Sequence, residues 1–466
     1  MLLLAIAVFV GSTSCRPCHA KIFDAYAKTP MAGSSGRVDS VAPARFRAAG
    51  HQYWIKDNRL YFDEGSAPFD YFIGSNAAGQ SYLFARDGYL FELPVTWYQQ
   101  KHAWGASPGY EEEREVRLSR PVDTNCLACH ASRLRPIYGT QNRYADPPFL
   151  DNGVGCERCH GPASEHVRNP GAAALVNPAR LAPAERDSIC AQCHLTGDAR
   201  IDRVGRRFAE FRPGEKLSDY VTYFVWASED PAMKVTSHAE RFAMSRCKRV
   251  SGDALWCGTC HDPHTNANRS QAACSACHAD AHHRDESCAQ CHMPRSRTVD
   301  VGHGVMTDHW IRRDSRRTNS PARELRAFLG ESDDRALGLA YAEVGDARAR
   351  QYLQRAQPVD AAVLLRLAVL EQNPKGAMEK YEAVLRKDHA NPVALVNLGG
   401  LYAQAGRIED ATQVWKRALA VNPATEAAVL NLARIRPRAE ARAVVEEYLR
   451  FNPGSAAARA ALVALR

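Results

Sequence analysis

Two different periods of apolar and polar residues run along the chain. Near its end, Leu395, Leu398, Gly399, Tyr402, Ala411, Trp415 and Ala418 recur at the three- and four-residue steps of a helix face. Gly406 interrupts this run and Pro423 closes it, so residues 392–425 read as two helices folded into a hairpin. Weaker copies lie around Leu364, Ala377 and Tyr381, around Tyr341, Gly345 and Tyr352, and through Leu432, Tyr448 and Pro453. Earlier in the chain the period changes. Gln52 to Phe62 and Ser81 to Leu93 set Asp57-Asn58 and Asp87-Gly88 between aromatic and β-branched runs, the pattern of tight hairpins. A small antiparallel sheet is expected over about residues 45–105, with Trp97, Trp104 and Tyr110 packed beside it.

Helical hairpins recurring at about 34 residues, with small residues where the helices approach and aromatics between hairpins, read as tetratricopeptide repeats. Three to four hairpins are enough for a stable solenoid. A generic helical bundle is the plainer alternative.

Composition adds little until the cysteines are placed. The 466 residues are 45% hydrophobic and 8% aromatic, enough for two or three domains and unlike any fibrous or disordered chain. Fourteen of the 15 cysteines fall into seven copies of C-x-x-C-H: Cys15-Cys18-His19, Cys126-Cys129-His130, Cys156-Cys159-His160, Cys190-Cys193-His194, Cys257-Cys260-His261, Cys274-Cys277-His278 and Cys288-Cys291-His292. Only Cys247 is left over, and it reads as a buried thiol. Chance would supply on the order of 0.02 copies. Two thiols three apart form thioethers to the vinyl groups of a porphyrin, and the adjacent histidine turns back to bind the iron. Zinc would need the motifs in pairs, and seven is odd; disulfides leave the histidines unexplained. Seven haem c groups are therefore expected.

Such thiols are handled outside the cytoplasm, so a periplasmic or exported bacterial protein is expected. Met1 to Val10 is an apolar run of signal-peptide length, too short to cross a bilayer, and residues 1–14 are read as a signal peptide or an N-terminal anchor that would give a route to membrane association. The formal charge of +8 is a counterweight to the haem propionates, about two negative charges per haem. No motif of nucleic-acid recognition accompanies it.

What stands opposite each motif histidine decides between electron transfer and catalysis. His166, His264, His303 and His309 are the first candidates for distal ligands, followed by His51, His238 and His283. His264 is too near His261 to reach the other face of the same iron, but is placed for a neighbouring one. His166, six residues past His160, has the same character. Met31 is either a thioether ligand or a gap-filling core residue.

With these residues in view the chain resembles the cytochrome c552/c554-like multihaem family, in its members that append tetratricopeptide repeats. The first motif with Tyr26, Thr29 and Met31 is similar to the family's C-x-x-C-H-x6-W-x-x-S-x-H, with Met31 where the family has a ligating histidine. Cys156 to His166, C-x-x-C-H-G-P-x-S-x-H, matches closely, and the resemblance implies that His166 is a distal ligand. Asn177-Pro-Ala-Arg180, Arg212-Pro-Gly-Glu215, Cys257 to His264 and Cys291-His-Met-Pro-Arg295 are also similar. The function it implies is electron transfer.

The expected fold is mainly α: a haem-packed multihaem cytochrome domain over residues 15–318, with few regular elements and a small antiparallel β insertion, then an α-helical repeat solenoid over 319–466. The expected function is electron transfer through seven haems between redox partner proteins, with the repeats docking a protein. Self-association is left open. The alternative is an oxidoreductase acting on a small nitrogen or sulfur compound at an open-face haem.

Overall fold

The computed structural model describes residues 8–75, 77–171, 174–228, 231–278, 287–302, 304–313 and 324–466. Residues 1–7 of the N-terminal run, the candidate ligands His283 and His303, and the expected boundary at 318/319 lie outside the described residues. Helix makes up 43% and strand 20% of the structure, mainly α as expected, with a larger β part than the two hairpins suggested.

Nine strands follow the first motif: β1 (Ser35–Arg37), β2 (Ala44–Ala48), β3 (His51–Lys56), β4 (Arg59–Phe62), β5 (Gly65–Pro68), β6 (Tyr71–Ile73), β7 (Gly79–Arg86), β8 (Tyr89–Tyr98) and β9 (Ala103–Ala106). They form two antiparallel sheets, β2-β3-β4-β5 and β1-β6-β7-β8-β9. Asp57 and Asn58 between β3 and β4, and Asp87 and Gly88 between β7 and β8, all take positive φ, the conformation a two-residue hairpin turn demands. Trp97 and Trp104 are not beside the sheet. They lie within it as cross-strand partners on β8 and β9, and only Tyr110 packs from outside, fully buried under the Arg120 guanidinium.

The long strand β8 shows the division of labour in this sheet. Phe91, Leu93 and Val95 enter the hydrophobic core, whereas Glu92, Thr96 and Tyr98 line the large cavity of the motif-bearing region.

Residues 334–464 form nine helices in antiparallel hairpins. Gly399 faces Trp415 across the best repeat: a methyl group there would stand 2.4 Å from the indole nitrogen, so only hydrogen lets the two helices approach. Trp415 is buried and donates its N–H to the Val396 carbonyl at 3.1 Å. Asn373, Asn391, Asp333, Asp360 and Ser455 each cap a repeat helix through a side-chain oxygen.

The solenoid is joined to the rest at two places. Strand Leu325–Leu329, just before the first repeat helix, pairs with Val221–Trp226 in a three-stranded sheet. At the other end, Val429, Val445, Tyr448, Phe451 and Ala458 share one core with Phe84, Phe91, Val116 and Leu118 of the β insertion and its flank. Asn452 accepts from the Leu118 amide at 2.9 Å. Among the described residues no helix is long and apolar enough to cross a membrane.

Candidate functional site

Most of the C-x-x-C-H motifs lie on one or two turns of helix, as in Thr124–Ala128, Glu157–His160 and Cys257–Cys260, whereas the fourth ends the longer helix Pro183–His194. Such short helices cannot support themselves, so their geometry depends on anchors. Asp123 caps the second motif by accepting from the Asn125 and Cys126 amides. Glu157, inside the third motif and buried, accepts from the amides of Val10, Gly11 and Ala163. Ser12 accepts from the Cys156 amide at 3.0 Å. Residues 8–12, grouped by sequence with the N-terminal leader, are thus tied to the third motif.

Five of the seven motifs converge on one cavity of about 2090 Å³, more than twice the roughly 1,000 Å³ of a large small-molecule pocket. Motif residues of the first five copies line it, together with His166, His238, His264, His309 and Met31.

The histidines meet in pairs. His19 and His166 face each other with ring centres 6.3 Å apart and planes 16° apart. His160 and His264 do so at 5.9 Å and 15°, and His261 and His309 at 6.1 Å and 33°. An iron with a metal–nitrogen bond of about 2 Å on each side, plus roughly 1.1 Å from nitrogen to ring centre, separates two axial imidazoles by about 6.3 Å. All three pairs fit. His194 and His238 are also brought together, but closer and crossed, at 5.0 Å and 79°, and His238 stands 4.5 Å from His309.

Ring nitrogens support the same reading. Nδ1 of His160 lies 2.8 Å from the Val176 carbonyl, that of His292 2.9 Å from Arg312 and that of His309 3.0 Å from Thr307. A proton on Nδ1 leaves the Nε2 lone pair for metal, the usual second contact of a metal-bound histidine. Burial favours the neutral form a ligand needs at six histidines: His194 is held down to about 4 and His238 to about 2, and His130, His160, His261 and His309 are lowered for the same reason. Zinc would need three or four donors around one point, and among the described residues no group of three or more His, Cys, Asp or Glu is so arranged.

The thiols lie against one another between motifs. Cys15 lies beside Cys156, Cys129 beside Cys193, Cys190 beside Cys257 and Cys274 beside Cys288. Cys159 lies near Cys190 and Cys193, and Cys260 near Cys274. The motifs therefore neighbour one another in the order first, third, fourth, fifth, sixth, seventh, with the second beside the fourth. Burial pushes the Cys126 thiol up to about 12. Cys247 is half-buried rather than buried and lies near Cys260 and Cys274.

Other expected site residues stand elsewhere. His51 sits on β3 against Tyr53, with Nε2 3.2 Å from the Glu113 carbonyl, and does not line the cavity. His130 is half-buried in the cavity wall, and among the described residues no imidazole faces it. The polar face of β7 and β8 lies nearby: Ser81, Glu92, Thr96 and Tyr98 line the same cavity, and the Glu92 charge is felt at Cys126. Neither this face nor Glu157 carried a signal in the sequence beyond the alternation of β8 and an acidic residue between two motif cysteines.

Comparison with known families closes the site. Residues 95–161, which hold the second and third motifs, match the family model for cytochrome c554 and c-prime. Residues 368–435 match a tetratricopeptide repeat model. The chain thus carries one segment similar to cytochrome c554 and c-prime and one similar to tetratricopeptide repeats. Among solved structures, the outer cell wall cytochrome OcwA is similar at 15% identity, covering 88% of this chain and 99% of its own, with a TM-score of 0.44. An undecahaem cytochrome from the S-layer of Carboxydothermus ferrireducens is similar at 14% identity, covering 97% of this chain and 70% of its own, with a TM-score of 0.34. The Pseudomonas aeruginosa protein pilF is 28% identical over 28% of this chain and 65% of its own, with a TM-score of 0.25. No curated protein matches the chain significantly.

Proposed function

We propose that the chain holds seven haem c groups on its 14 motif cysteines and seven motif histidines, and passes electrons between redox partner proteins outside the cytoplasm. The observation that carries this reading is the run of three imidazole pairs with ring centres about 6 Å apart in one continuous cavity, His19 with His166, His160 with His264 and His261 with His309. His194 and His238, crossed at 5.0 Å, stand closer than two ligands of one iron and lie outside this set. Bound haem supplies reversible one-electron iron chemistry.

The polypeptide contributes three things to that chemistry. Its motifs lie side by side through their cysteine positions, so no long gap interrupts the route. At the three paired sites, two imidazoles per iron would keep the coordination sphere the same in both oxidation states, which removes ligand exchange as a barrier. Apolar walls exclude water.

The division into residues 1–14, 15–318 and 319–466 belongs to this proposal, as does docking of a protein by the repeats. The end of the solenoid from about 424 to 458 is covered by the β insertion, which leaves the earlier hairpins for a partner. Membrane attachment through the N-terminal run and self-association stay with the same reading.

The test is direct. Mass and pyridine-haemochrome analysis of the mature protein should give seven covalent haems, and reductive titration should take up seven electrons per chain. Fewer covalent haems than motifs would refute the count, and a polypeptide of unmodified mass would refute the whole reading.

A further inference from the structure

Between the fifth and seventh motifs lies a buried charge cluster that electron transfer as described does not use. The side chains of Arg241 and Asp308 are both 0% exposed. Arg241 Nε donates to Asp308 Oδ1 at 2.8 Å, its Nη2 donates to Oδ2, and its Nη1 donates to the Pro231 carbonyl at 2.7 Å. Arg312 Nη2 donates to the same carboxylate at 3.3 Å. Both guanidinium groups lie over the Trp310 ring, 5.3 and 4.3 Å from its centre. A carboxylate removed from water holds its place only while such partners remain.

The same carboxylate bends the chain around His309. Asp308 Oδ1 accepts from the Trp310 amide at 3.0 Å, an Asx turn with His309 at its apex. The Asp308 amide donates to the Pro294 carbonyl at 3.0 Å, just past the seventh motif. Ser245 Oγ donates to the His309 carbonyl at 3.1 Å and accepts from the Ile311 amide at 2.8 Å. At the end of this strap, the Arg312 amide donates to the His292 carbonyl and the Arg312 carbonyl accepts from His292 Nδ1.

We propose that Asp308, clamped by Arg241 and Arg312, is a positioning residue for two metal centres, holding His309 opposite His261 and His292 at the seventh motif. This rests on the reading of His309 and His261 as axial ligands of one iron. One carboxylate thereby ties the ligation of two sites together.

Asp308→Asn keeps an oxygen for the Asx turn and takes the charge away from both guanidinium groups. With covalent haem content unchanged, low-temperature EPR should show one or two irons leaving the low-spin set, and redox titration should show the midpoints of two haems moving while the others stay. His309→Ala is the control, expected to convert one iron to high spin. If it changes nothing, the ligand reading itself fails. If it converts one iron while Asp308→Asn and Arg241→Met leave every low-spin signal and midpoint unchanged, the positioning role is overturned. Where Asp308→Asn does not accumulate, Arg312→Gln, which retains the Arg241–Asp308 pair, should disturb the iron at His292 alone; an unchanged spectrum and midpoint in that variant overturns the proposal equally.

Discussion

His264 lies parallel to His160, a motif histidine from a distant segment, with ring centres 5.9 Å apart. The pair has the spacing of two imidazoles on one iron, and His160 is further oriented by the Val176 carbonyl. Replacing His264 with Ala should leave all covalent haem in place and convert one iron from low to high spin. EPR of the oxidised variant checks this, and a spectrum unchanged from the parent would show that another group serves His160.

His130 differs from the other cavity histidines because no imidazole among the described residues faces it. Its iron is expected to be high-spin in the otherwise unaltered protein, and to bind carbon monoxide when reduced. Resonance Raman spectra with and without the gas would show it. Uniformly low-spin spectra that ignore the gas would mean a sixth protein ligand there.

Glu157 gathers three backbone amides, those of Val10, Gly11 and Ala163, in a buried position. An amide side chain has one acceptor oxygen and brings N–H groups against N–H groups. Glu157→Gln should therefore lower stability by about 3 kcal/mol, the loss of charge-assisted bonds plus a buried mismatch. Denaturant unfolding followed at the Soret band measures it; a loss below about 0.5 kcal/mol would show that the N-terminal segment is not held this way.

Gly454 packs directly on the backbone of the β insertion, where a methyl group would stand 1.9 Å from the Val116 carbonyl oxygen. Gly454→Ala should part the solenoid from the insertion, cost about 3 kcal/mol, and expose residues 113–119 to protease. Gly399→Ala, against Trp415, should cost a similar amount without that new cleavage. Equal digestion patterns in the two variants would contradict the distinction.

Much of this protein could be read before any coordinates because the relevant interactions are local. A C-x-x-C-H motif completes its chemistry within five residues, and a helical hairpin places Gly399 against Trp415 within one repeat. The hairpin turns at Asp57-Asn58 and Asp87-Gly88 were legible for the same reason, since a positive φ is demanded of named residues. The sheet around them proved larger because β1, β6 and β9 are three- or four-residue strands with too few positions to show a period.

The pairing of histidines is another matter. A ligand for the far side of an iron must arrive from another segment, because the chain next to the motif occupies the near side. Spacing could nominate His166, His264 and His309, but only packing decided that they face His19, His160 and His261, and that His51 lies away from them in the β insertion. The Asp308 cluster was silent for a related reason: a buried carboxylate looks like any surface aspartate until the two arginines that neutralise it are brought from 67 and 4 residues away. Local covalent chemistry was thus written in the sequence alone, whereas the order of the metal sites and the partners of each imidazole came from long-range packing, which no short pattern encodes.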